Sequence, residues 1–214
     1  MNHFKKSISV ALLGTVLATF GFIAYEPSAA SAQTASDTVV ITLNVTAGIS
    51  ITSPSDATMS TALGVAQHSA VGSTTWNVKT NSAGGYTLAV RATSSPAMAQ
   101  NGGSPSILDY QTGAPNTWVA TSGQAYFGYS AYGGDISTGT WGTGSNCYGG
   151  NIHATSTTLK YKGFTTSDVT VATRAATTTP SGIDSNFCYA VEQNNFYVPS
   201  GTYHATIIAT ATAI

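Results

Sequence analysis

Charge is what this chain has least of. Only 7% of its 214 residues are Asp, Glu, Lys or Arg, against about 25% in an average soluble protein. The formal net charge is −1. So few cations cannot neutralise a track of phosphates, which excludes a nucleic-acid protein held by a basic stripe. The Glu/Lys/Leu-rich composition of long, charge-laced helices is missing as well. Cysteine is scarce: Cys147 and Cys188 stand alone, with no Cys-x-x-Cys pair, so a zinc site built on paired cysteines has no support. What is present is small, hydroxylated and aromatic. More than a quarter of the chain is Ser or Thr, and 22 residues are Gly. With 42% apolar and 10% aromatic residues the chain can bury a core, which argues against disorder.

The first 32 residues read as an address. Lys5 and Lys6 precede an uncharged, mostly apolar run of 18 residues from Ile8 to Tyr25. Glu26 and Pro27 end the run, and Ala30-Ser31-Ala32 offers a small-x-small cleavage site before Gln33. That order predicts a secretory signal peptide over residues 1–32. The alternative is an uncleaved N-terminal anchor, because the run reaches the lower limit for a span, about 17 residues. After cleavage no stable membrane span is expected. No Cys lies at the cleavage site, so no lipid attachment is expected there. In an exported chain Cys147 and Cys188 are expected to form one disulfide. Closing a loop of about 40 residues stabilises a fold by ~4 kcal/mol in the chain-entropy description. Two free thiols or half a metal site are the alternatives.

Residues 33–214 show strand periodicity and almost no helical pattern. Val39, Ile41, Leu43 and Val45 alternate with Val40, Thr42, Asn44 and Thr46, which predicts a half-buried strand. Ile49 and Ile51 continue that pattern. Trp76 and Val78, then Tyr86, Leu88 and Val90, flank a turn over Asn81–Gly85 and predict a hairpin, with Lys79 and Arg91 facing solvent. Residues 125–132, Leu159 with Tyr161, Val169 with Val171, and Phe187 with Tyr189 and Val191 predict further strands. Thr202 to Ile214 reads as one long final strand. Long Gly/Ser/Thr-rich loops are expected over about residues 94–124 and 133–157. The expected fold is therefore all-β: a single antiparallel β-sandwich of about 8–10 strands, immunoglobulin-like or jelly-roll-like. A closed barrel is the runner-up.

Two segments resemble known bacterial families. The opening Thr38-Val39-Val40-Ile41-Thr42-Leu43-Asn44-Val45 is one. The ending Pro199-Ser200-Gly201-Thr202-Tyr203 with its alternating tail to Thr212 is the other. Together they resemble immunoglobulin-like modules of secreted bacterial surface proteins, and they are similar to the ends of spore-coat-protein-U-type pilus subunits and WxL-type wall-associated domains. The resemblance covers the two ends and little between. The paired Trp-x-Leu motifs of the WxL type and the early Cys of the pilus type are both missing. The resemblance implies a surface-displayed module, with assembly by strand exchange in the pilus case, and it brings no catalytic residues.

The search for chemistry finds little. His68, His153 and His204 lie in unrelated segments without zinc-binding spacing. Gly128-Tyr129-Ser130-Ala131-Tyr132 resembles G-x-S-x-G but lacks the last Gly and lies in a strand pattern. Asp109 with Asp135, or Asp168 with Glu192, are the carboxylate pairs a glycosidase would need, and nothing in the sequence selects them. No EF-hand-type calcium loop is present; a calcium site on Asp135, Asp168 and Asp184 in loops, beside backbone carbonyls, is the alternative to no metal. Asn44-Val45-Thr46 is the sole N-glycosylation triplet and is read as chance. The enriched zone is aromatic: Tyr110, Trp118, Tyr126, Tyr129, Tyr132, Trp141 and Tyr148 fall within 39 residues. Tyr110, Trp118, Tyr129, Tyr132, Trp141 and Tyr148 are therefore candidate ligand-binding rings, since exposed flat rings bury area at low entropy cost. The alternative is that they fill the core. The resulting expectation is a secreted or cell-surface module, structural or adhesive and not an enzyme, with no cofactor and no metal. Its partners would be other surface proteins, glycans or copies of itself. A strand-exchanging filament subunit and a carbohydrate-binding module are the alternatives.

Overall fold

The computed structural model describes residues 35–147, 152 and 158–214. The chain divides into two units, residues 1–44 and 45–214. The described part of the first, residues 35–44, holds no strand or helix and is exposed throughout. The signal-peptide reading of residues 1–32 lies outside the described residues.

The described residues of the second unit carry ten strands: β1 (Ile49–Thr52), β2 (Ser69–Thr80), β3 (Tyr86–Ala92), β4 (Met98–Gln100), β5 (Ser106–Asp109), β6 (Gln124–Gly133), β7 (Val169–Arg174), β8 (Ile183–Asn194), β9 (Tyr203–His204) and β10 (Ile207–Ala213). A four-residue helix, α1, covers Thr138–Trp141. The all-β class therefore holds, but the arrangement differs from the expected one. Sheet A is a curled, mixed sheet of seven strands in the order β1-β2-β8-β6-β5-β4-β9. Sheet B has three, in the order β10-β3-β7. The single antiparallel sandwich fails at β5 and β6, which pair in parallel, Leu108 opposite Tyr126. A parallel return needs a connection of about a dozen residues or more, and residues 110–123 supply it.

The Trp76–Val90 hairpin is a second correction. β2 pairs with β1 and β8, whereas β3 pairs with β10 and β7. The segment 81–85 thus crosses from sheet A to sheet B. Facing sheets lie about 10 Å apart, a gap that five residues bridge. Gly85 supplies φ 83° at the end of the crossing, a value only Gly adopts freely. Trp76 and Val78 still meet Tyr86, Leu88 and Val90 in one core, from opposite sides. Alternation specifies which face is buried and leaves the partner open.

Packing explains which strands were legible. β8 has strands on both sides and layers on both faces, so Phe187 to Gln193 are all buried. A strand covered on both faces reads as a continuous apolar run. Its inward Phe187 meets Trp76 edge-on at 4.7 Å. β6 follows suit, with Tyr129 stacked on Phe164 at 4.2 Å. Lys79 and Arg91 face solvent as expected. Leu159 and Tyr161 are fully buried but make only isolated bridges. The final segment breaks at Ala205–Thr206, leaving β9 in sheet A and β10 in sheet B. The predicted strand 38–46 is not formed: Val39, Val40, Ile41, Leu43 and Val45 are 75% to 91% exposed.

Candidate functional site

The aromatic zone is a lid. At its centre the outward face of sheet A is small or apolar: Val71 on β2, Gly128 on β6, Cys188 and Ala190 on β8. Onto them pack Tyr110, Trp118, Ile152, Leu159 and Tyr161, forming a second buried cluster. Tyr110 and Trp118 stack at 4.4 Å, and Tyr161 meets Trp118 edge-on at 5.3 Å. A Cβ on Gly128 would lie 2.9 Å from the Lys162 carbonyl oxygen and from Tyr110 Cβ. The lid sits this close because the sheet offers no side chain there.

Polar groups pin the lid in place. Trp118 Nε1 donates to the buried Glu192 carboxylate. Tyr110 donates its hydroxyl to the Thr117 carbonyl at 2.8 Å and accepts from the Val119 amide at 3.0 Å. Lys162 Nζ donates to the Thr112 and Gly113 carbonyls, and burial lowers its pKa. Cys147 and Cys188 are at disulfide distance, with Cα atoms 5.6 Å apart. The bond ties the 133–147 loop to the central strand.

These positions decide the reading of the candidate rings. Tyr110, Trp118, Tyr129 and Trp141 are buried at 3% exposure or less. Tyr110 and Trp118 belong to the lid, while Tyr129 and Trp141 belong to the core between the sheets. The expectation of solvent-facing rings is corrected for these four. Tyr132 is half-buried against the lid cluster. Tyr148, like His153, lies outside the described residues. The physical reason is the bare outer face of sheet A, which needs cover as much as the inner face does.

Ionisable groups are dispersed in the same way. Asp109 accepts from the Ala97 amide and the Ser95 hydroxyl. Burial raises its pKa, and those two hydrogen bonds act against the rise. Asp135 accepts from the Tyr86 hydroxyl at 2.8 Å and pairs with Arg174 at 3.2 Å. Burial, followed by the Asp135 carboxylate, pushes the Tyr86 phenol up. Asp168 pairs with Arg91, and Asp184 accepts from Asn77. Each carboxylate of the two candidate pairs thus serves a different structural contact. Ser130 is buried inside β6, away from any strand-to-helix elbow. Burial raises the Tyr129 phenol and pushes Tyr189 up to about 12. Among the described residues, no three His, Cys, Asp or Glu side chains group as metal ligands would.

The surface also carries shallow recesses. One, of about 450 Å³, is lined by Asp135, Ile136, Trp141 and Thr173 among others. Another, of about 440 Å³, is lined by Ile49, Lys79, Asn81 and Pro180 among others. One exposed aromatic pair, Phe196 and Tyr197, lies outside the candidate rings, next to Asn195 at φ 49°. Tyr197 stacks on His68 at 6.3 Å. The available signal was Asn195-Phe196-Tyr197 between a strand and Pro199, where large rings break the polar turn composition. No family model matches the chain, and neither a curated protein nor a solved structure matches it.

Proposed function

We propose that this chain is an exported, non-enzymatic structural module of the cell surface. The observation that carries the reading is the clamped aromatic lid. Residues that look chemical in the sequence are engaged in holding a sheet covered on both faces, and one disulfide fastens the arrangement. Disulfides persist in oxidising compartments outside the cytosol. A surface poor in charge and rich in hydroxyls suits display outside the cell, and among the described residues no helix is long and apolar enough to cross a membrane. The test is fractionation of the producing cell followed by mass spectrometry. The protein is expected in the envelope or medium, lacking residues 1–32 and with Cys147 and Cys188 oxidised. A reduced, full-length cytosolic protein would overturn the reading.

A second reading is favoured by residues 38–46: the module is a subunit that adds this segment to a neighbouring sheet. Its alternating apolar side chains are exposed, a state that strand addition removes. Concentration-dependent, SDS-resistant oligomers are expected, and a strict monomer at all concentrations would end this reading.

A further inference from the structure

We infer that the acceptor for residues 38–46 is the free edge of β10 in a second copy of this chain, an inference that rests on the strand-addition reading. Four strands end a sheet: β1 and β9 in sheet A, β10 and β7 in sheet B. Soluble proteins protect such edges by shortness, charge or cover, because an open row of backbone groups templates further pairing. β1 has four residues and β9 two. The outer side of β7 is taken by the Ile136–Ala172 bridge and by the Thr173 amide donating to the Asp135 carbonyl. β7 also carries Arg174. β10 is neither short nor charged, and β1 passes near it without pairing. Its seven residues, Ile207–Ala213, carry no charge, and among the described residues only β3 pairs with it.

The face of β10 completes the argument. Ile207, Ala209 and Ala211 pack against the core yet remain only half-buried. Ile49 and Ile51 on β1 are in the same state, and β1 passes close to β10. The core is thus thinly covered along the seam between the two sheets. A fourth strand on sheet B would cover it by turning one apolar face inward. Residues 38–46 have that face in Val39, Ile41, Leu43 and Val45, and they carry no charge. At about 3.3 Å per residue the segment is long enough for all of β10. Donor and acceptor match in length, period and neutrality.

The test uses the full chain carrying Ile41→Glu and Leu43→Glu, together with a synthetic peptide of residues 38–46. Both substitutions change exposed side chains only, so the domain is expected to fold. Amide hydrogen exchange is followed strand by strand. The peptide is expected to slow the β10 amides that point away from β3 by about tenfold or more, and a peptide with Glu at both positions is expected to have no effect. Protection at β1, β7 or β9 instead would overturn the β10 assignment and leave strand addition standing. Protection at no edge would overturn both. In the unsubstituted chain, protection of β10 is expected to rise with protein concentration. Concentration-independent protection in a monomer would assign the edge to the chain's own segment and overturn the second copy.

Discussion

β8 and β10 are the two extremes of this fold. β8 lies between β2 and β6, with the main core under one face and the aromatic lid over the other. Among the described residues β10 pairs with β3 alone, and its inner face is half-buried. β8 is buried without a break from Phe187 to Gln193, whereas no residue of β10 is fully buried. The difference teaches that stability in this molecule concentrates on the central strands, while sheet B remains unfinished at one side. Interior rings are the largest single contributors to burial, because each aromatic side chain removes about 150–250 Å² from water.

The largest way to break the contrast is Phe187→Ala on β8. The ring is fully buried between Trp76 and Tyr129, so a loss of ~3–5 kcal/mol is expected, read from urea unfolding. Reduction of the Cys147–Cys188 bond comes next, at ~2–5 kcal/mol, read from the same curves with and without reductant. If reduction left the midpoint unchanged, the lid would not be clamped by the bond.

Alkaline pH sharpens the contrast further. Tyr189 ionises at about 12 in the folded chain and at 10.0 when unfolded. Burial likewise raises Tyr86 and Tyr129. For an acid whose folded pKa is raised, the folded state holds the proton longer. Stability from these groups is therefore complete below pH 10 and falls as the pH climbs from there through the folded values. Tyrosinate absorbance is expected to show a group of phenols that ionises only as the chain unfolds. Gly128→Ala is expected to lower stability by ~1–3 kcal/mol, because the new methyl group meets the Lys162 carbonyl and Tyr110 in a packed site. The smallest effect is expected at the exposed segment: Ile41→Ser should change unfolding of the dilute chain by less than ~0.5 kcal/mol. A large loss there would show that the segment packs on the domain.

How much was legible follows from the same contrast. β6, β7 and β8 were readable because burial imposes a local pattern on Phe127, Tyr129, Val171, Phe187 and Val191. The disulfide partners were readable because only two cysteines exist. Partner choice was not readable: β2 and β3 satisfy a hairpin pattern and lie in different sheets. Nor was the parallel β5–β6 pair, since direction depends on how residues 110–123 travel in space. Trp118 and Tyr110 misled because an aromatic residue among Gly and Ser has the same composition whether it covers a sheet or faces water. Val39 to Val45 misled for the opposite reason. Their alternation states that the segment can pair, and it says nothing about whether a partner is supplied by the same chain.

The bond between Cys147 and Cys188 also bears on how the molecule meets a pull. The cysteines lie 41 residues apart in sequence. At about 3.4 Å per residue, ~140 Å of contour is closed off by that one covalent link. Tension applied through the two ends would travel across the sulfurs and skip β7, which lies inside the loop. An oxidised chain would then stretch less far than a reduced one before becoming taut, and single-molecule extension would read that missing length directly.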